Sequence, residues 1–178
     1  GGRDPKNQWP LFYNQTHQNT LLNVWEKMAN RYKNETQIMG FDLVNEPNDQ
    51  DLAAGLLNWR DLAIATIKRI RAIDTLHPIV LEASPVSGPT TLPTFEPVPF
   101  DNVIYSFHMY EPGQFVFQNV FSNDTPIYYP GIIGGKMWNK DQLRATMQAT
   151  LDWQKTHNAT IHVGEFSAIR WAPGNSTC

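Results

Sequence analysis

The chain has 178 residues, 41% of them hydrophobic, which suits one ordinary domain with a buried core. Seventeen acidic against fourteen basic residues give a net charge of −3 without any Lys/Arg cluster, which excludes the electrostatic footprint of a nucleic-acid binder. No apolar run approaches the ~20 residues that cross a bilayer, and the single cysteine, Cys178, excludes an internal disulfide and a multi-cysteine zinc site.

In chain order, Leu21, Trp25, Met28 and Tyr32 recur at helical spacing behind the cap-forming Asn14-Gln15-Thr16, which predicts a helix from Thr16 to Lys33. Ile38 to Val44 is a short apolar run closed by Pro47 and reads as a buried strand. Asp49 and Asp51 suit the start of a second helix, whose stripe is Leu56, Trp59, Ala63, Ile67 and Ile70 and whose end lies near Asp74. A second strand runs from His77 to Ala83, followed by a Pro-rich stretch, Pro85 to Pro99, that cannot sustain a long helix. Asn102 to Tyr110 is a third strand, and Glu111 to Trp138 reads as a long loop. Asn139 and Gln142 resemble a capping box ahead of a third helical stripe, Leu143, Met147, Thr150 and Leu151, and Thr160 to Phe166 is the fourth strand.

Four buried strands alternating mainly with amphipathic helices imply parallel strands joined by right-handed crossovers, so the fold class is α/β and a single domain is expected. Periodicity alone leaves an open doubly wound sheet and an arc of a barrel both open. The chain starts at Gly1 without an initiator Met and stops soon after the fourth strand, so a fragment of a longer protein is expected.

The strand exits carry the polar groups: Asn45 and Glu46, then Glu82, then His108 and Tyr110, then Glu165. Parallel α/β folds place ligands at these carboxyl ends, so the four exits predict one rim. Ser106, His108 and Tyr110 share a strand parity and hence a face. Hydrolysis of a glycosidic bond needs a proton donor and a second carboxylate for the developing oxocarbenium ion, and Glu46 and Glu165 suit those roles. The plainer reading of any lone glutamate here is a strand cap or a surface ion pair.

Three motifs in order, Asn45-Glu46-Pro47, His108-Met109-Tyr110 and Gly164-Glu165-Phe166, resemble those of glycoside hydrolase family 5, and the likeness runs from Thr16 to Phe166. The resemblance implies a retaining (β/α)8 TIM-barrel glycosidase, with this chain supplying about strands four to seven and the first three and the last strand missing. It implies Glu46 as general acid/base, Glu165 as nucleophile, Asn45 on the sugar 2-hydroxyl, His108 lining the same subsite and Tyr110 orienting Glu165. No metal and no cofactor are implied. The implied substrate is a β-linked polysaccharide or oligosaccharide, cellulose-like β-1,4-glucan first. A β-mannanase, a β-1,3-glucanase and a non-catalytic carbohydrate-binding barrel are the alternatives. The implied full-length enzyme is secreted and monomeric, with no nucleic-acid or membrane partner, and the isolated 178 residues are expected to be inactive.

Among the aromatics, Trp138 beside the long loop and Trp171 after the fourth strand are candidate sugar platforms, with core packing as the competing role. Trp59 and Trp153 read as structural, and Trp9 is left between the two. Phe115, Phe117, Tyr128 and Tyr129 either shape a groove or anchor the loop. Asn48, Asp49 and Asp51 fail the EF-hand spacing. His17, His77, His157 and His162 show no metal-ligand spacing and read as surface or packing residues. Sequons at Asn14, Asn34, Asn123, Asn158 and Asn175 suit a secreted glycoprotein.

Overall fold

The computed structural model describes residues 10–120 and 126–173; Trp9, Asn123, Asn175 and Cys178 lie outside them. Helix α1 (Gln15–Tyr32) starts where the sequence places it, because the Asn14 side chain accepts the Thr16 amide at 2.9 Å. Strand β1 (Phe41–Asp42) follows, then α2 (Trp59–Arg71), β2 (Ile79–Glu82) and β3 (Val103–Met109). A short helix α3 (Gly113–Val116), a hairpin of β4 (Gly131–Ile133) and β5 (Lys136–Trp138), helices α4 (Lys140–Thr146) and α5 (Gln148–His157) and strand β6 (Thr160–Phe166) complete the order. The main sheet is β1-β2-β3-β6, every neighbouring pair parallel.

The predicted strand over Ile38 to Val44 is ladder-paired only at Phe41–Asp42, because β1 is an edge of the described sheet and pairs with β2 alone. Extended backbone continues to Leu43, whose amide reaches the Val80 carbonyl at 3.3 Å. The second helix begins later than expected, leaving Leu56 outside it. Asn58 is the cap, while Asp49 reaches forward from ten residues upstream so that its Oδ2 accepts the Trp59 amide at 2.8 Å. An acidic residue at the helix start was therefore a correct reading with the wrong sequence distance. The expected loop from Glu111 to Trp138 contains α3 and the β4–β5 hairpin, and the third helix is divided at Met147 into α4 and α5.

The core lies between the sheet and the helices. From α2 it takes Trp59, Leu62, Ala63, Ile67 and Ile70, from the sheet Phe41, Ile79, Leu81, Tyr105 and Phe107, and from α5 Trp153. Three indole N–H groups anchor main-chain carbonyls inside this layer: Trp25 to Leu43, Trp59 to Glu82 and Trp153 to Phe95. Burial satisfies the ring and its single donor together, as buried tryptophan requires. The bond to Glu82 pins the carboxyl end of β2, where the polar rim begins.

Candidate active site

Glu46 stands three residues beyond Leu43, the last main-chain contact from β1 to β2, on backbone in the left-handed region at φ 46°. A non-glycine residue there costs roughly 1–2 kcal/mol, so the surroundings must hold it. The hold is visible: the Glu46 amide donates to Glu82 Oε2 at 2.7 Å. On β3, His108 sits 3% exposed with both ring nitrogens facing carboxylates. Its Nδ1 lies 2.8 Å from Glu46 Oε1 and 3.5 Å from Glu165 Oε2, and its Nε2 lies 3.3 Å from Glu82 Oε1. Tyr110 donates its hydroxyl to Glu165 Oε2 at 2.9 Å.

Glu165 faces this cluster because the β3–β6 ladder slips. Phe107 pairs with Val163, but His108 pairs with Glu165, so Gly164 is the extra residue of a bulge. A side chain at Gly164 would collide with the Ser106 hydroxyl, which the close approach of the two strands leaves buried and without a hydrogen-bond partner. Glycine inside a strand is the sequence signal for such a bulge. Without the slip, strand alternation would turn Glu165 to the face opposite His108.

The electrostatics follow from one imidazole among several acids. Burial pushes the Glu82 carboxyl up to about 7, reinforced by Asp42 and Glu165, against the lowering effects of the Glu46 amide and the His108 charge. Burial works against a charged His108, yet the hydrogen bond to Glu46 and the charges of Glu82, Glu165 and Glu46 together raise its pKa above the usual imidazole value. Desolvation and the bond to Glu165 raise the Tyr110 phenol, which keeps it a proton-bearing donor at neutral pH. Asp42 is raised by desolvation and by Glu165, with His108 and His162 opposing. His162, read from sequence as an ordinary surface or packing residue, therefore contributes to the field at the mouth of the sheet.

Glu46, His108 and Glu165 each offer one ligand atom within 4.8 Å of the others. Within the trio His108 Nδ1 is hydrogen-bonded to Glu46, while Glu165 Oε2 takes the Tyr110 hydroxyl, so each of the three already has a polar partner in the protein.

The structure thus brings together Glu46, Glu165, His108 and Tyr110. Asn45 is exposed beside Glu46 and lines a largely apolar cleft of about 520 Å³ between α1 and the β1 exit, with Phe12, Leu21, Leu43 and Val44 among its walls. Trp171 is 53% exposed, its indole N–H donating to the Gln118 carbonyl at 3.2 Å. The expectation for Trp138 needs correction: at 9% exposure it packs against Phe115, Val116, Ile133 and Ala172, with Lys136 above its ring, so it closes a small core beneath the hairpin and offers no free face to a sugar. Glu82 was seen from sequence only as one more polar strand exit. Its distinguishing signal was a carboxylate ending the wholly apolar run Ile79-Val80-Leu81.

A family model described as Cellulase (glycosyl hydrolase family 5) matches residues 5–174. The chain belongs to this cellulase family. Among its relatives, Endoglucanase C of Acetivibrio thermocellus is 23% identical over 184 residues, covering 89% of this chain and 52% of the relative. Endoglucanase 3 of Fibrobacter succinogenes is 32% identical over 180 residues, covering 84% of this chain and 27% of its own length. Endoglucanase Cel5A from the hyperthermophilic Thermotoga maritima aligns in structure with a TM-score of 0.78 at 25% identity, over 94% of this chain and 54% of that one. The chain spans about half the length of Endoglucanase C and of Cel5A. Its four parallel strands and their helices correspond to part of a (β/α)8 barrel.

Proposed function

We propose that these residues carry the catalytic pair of a retaining glycoside hydrolase that cleaves β-1,4-glucan, and that the remaining barrel strands belong to a longer protein. The observation that carries the reading is that Glu46 and Glu165 both face His108 Nδ1, with an oxygen of each within 4.8 Å of the other. That spacing favours the ~5–5.5 Å of retaining enzymes over the ~6.5–9.5 Å that leaves room for an inverting water. The names of the relatives, endoglucanases and a Cellodextrinase A from Ruminococcus flavefaciens, support a β-glucan as substrate.

In the first step Glu165 attacks the anomeric carbon while Glu46 gives its proton to the departing glycosidic oxygen, forming a glycosyl ester on Glu165. In the second, Glu46 takes a proton from water as that water attacks the same carbon, and Glu165 leaves as a carboxylate. Tyr110 steadies the ionised Glu165 through its hydroxyl, and His108 Nδ1 faces both acids. Asn45 takes the 2-hydroxyl of the sugar being cleaved, and Trp171 provides an exposed aromatic face near the end of β6. Polysaccharide is met outside the cell, so we assign the parent protein to secretion and polysaccharide breakdown.

The test is hydrolysis by the complete catalytic domain of a panel of β-1,4-glucan, β-1,3-glucan and β-mannan, with the anomeric configuration of the fresh product read by NMR. Retained configuration on β-1,4-glucan is the expected result. E46Q and E165Q are each expected to lower kcat by at least about 10²-fold. Inverted product, or unchanged turnover in either variant, overturns the assignment.

A further inference from the structure

Glu82 has no part in the two chemical steps, yet it lies 2% exposed directly behind both residues that face the substrate. A buried carboxylate is costly unless its partners compensate, and a leucine or glutamine would fill the same volume. Each of its oxygens has a definite partner. Oε2 accepts the amide of Glu46 at 2.7 Å, at the one site residue with left-handed backbone. Oε1 lies 3.3 Å from His108 Nε2, and the other nitrogen of that ring faces the two catalytic carboxylates. The main chain of Glu82 is fixed in turn by its ladder pairing with Ser106 and by the Trp59 indole N–H on its carbonyl.

We propose that Glu82 is a positioning residue for the reaction: it clamps the turn that aims Glu46, and it takes up His108 Nε2 so that the ring is held with its Nδ1 hydrogen directed at Glu46 and Glu165. The inference rests on the assignment of Glu46 and Glu165 above. Its logic is proton counting. All the bonds around His108 are satisfied only when Nδ1 carries a hydrogen and one further proton is shared between Nε2 and Glu82 Oε1. In the absence of Glu82 the two carboxylates still hold the hydrogen on Nδ1, but Nε2 loses its partner and the shared proton, and the ring is no longer held from behind toward Glu46 and Glu165. Asp42 from β1, Tyr110 just beyond β3 and His162 from β6 are the titratable groups around this unit beside Glu46, Glu165 and Glu82 itself.

Three variants of the complete catalytic domain separate this role from simple packing. E82Q keeps an acceptor for the Glu46 amide and presents an NH2 to Nε2, so it preserves the hold on the ring and is expected to retain kcat within about threefold of the parent. E82L removes both functions at similar volume and is expected to lose about 10- to 100-fold in kcat, with KM altered less than about twofold. E82D, one methylene too short to span both partners, is expected to show the same kcat loss and stands in if E82L does not fold. Nitrogen-15 NMR of the histidine ring reads this contact independently of turnover: Nδ1 protonated throughout, and Nε2 hydrogen-bonded in the parent and E82Q but carrying a free lone pair in E82L or E82D. An unchanged Nε2 resonance in a folded E82L or E82D overturns the inference, as does wild-type kcat in either or an E82Q as impaired as E82L. A parent inactive on every β-glycan contradicts the function proposed above, while the ring spectra still decide whether Glu82 holds His108 Nε2.

Discussion

Gly164 is glycine because of a hydroxyl on the neighbouring strand. The bulge brings β6 so close to β3 that a methyl group at 164 would overlap Ser106 Oγ. G164A is therefore expected to destabilise the catalytic domain by about 1–3 kcal/mol and to displace Glu165 with loss of kcat. Ser106 Oγ has no hydrogen-bond partner among the described residues, so S106A costs little, and the S106A/G164A double variant should recover most of the lost stability. Chemical denaturation of the four-member cycle reads the coupling, and strictly additive effects would contradict the steric explanation. At this scale the sequence was informative where chemistry and motif coincided: Glu46, Glu165, His108 and Tyr110 are mutually bonded as their order along the strand exits suggests. Glu82 was not legible as a site residue, since a glutamate ending an apolar strand looks alike whether it caps, pairs or positions. Trp138 was misread for a related reason. An indole beside an aromatic loop has the same local composition on a groove as over a core, and only the hairpin decides between them.

Among the elements, β2 shows how a strand with four buried residues is held at both ends. At its start His77 donates from Nδ1 to Asp74 Oδ2 at 2.6 Å and from Nε2 to the Glu35 carbonyl at 3.0 Å, and its ring lies against Phe41. The Glu35 carbonyl and the Asp74 carboxylate raise the His77 pKa. Burial acts against an ionised Asp74, but bonds from the His77 and Leu76 amides and the His77 ring bring its pKa down overall. A raised histidine contributes stability that is complete below the unfolded value of ~6.5 and is lost as pH climbs through the folded value. A lowered aspartate contributes above the unfolded ~3.9 and loses its contribution as pH falls through the folded value. The pair is therefore expected to stabilise the domain most between about pH 4 and 6.5. H77A should cost about 1–3 kcal/mol there, and less near pH 8 or below pH 3.5. A penalty independent of pH in denaturant titrations would contradict the pairing. Helix periods and buried strands were readable because a single face decides them. The ends of α2 and β1 were not, since the cap for the Trp59 amide comes from Asp49 across a loop and the β1 ladder ends where its only described partner does.

For the whole molecule, the described sheet pairs β1 and β6 on one side only, and Met39, Phe166 and Trp171 stand exposed. Unpaired strand edges bordered by large apolar groups favour association between chains. The 178 residues alone are accordingly expected to aggregate or oligomerise and to hydrolyse no β-glucan, as checked by light scattering and reducing-sugar release; a soluble, active monomer would contradict this. An α/β class with parallel strands was legible from the alternation of strand and helix patterns. The choice of a barrel arc over an open sheet was not, because both use the same local periods, and it was the motifs on the strand exits that tipped the expectation.

His77, two residues ahead of β2, and Glu82, its last residue, lie five residues and about 16 Å apart. The charges that act on His77 are those of Asp74 and Arg71, those that act on His108 are Glu82, Glu165 and Glu46, and none is shared. In the function proposed above, one histidine–carboxylate couple guards endurance ahead of β2 while another serves turnover at its exit, and each answers to its own protons. Selection or engineering can therefore shift the pH at which this domain survives without retuning the pH at which it works.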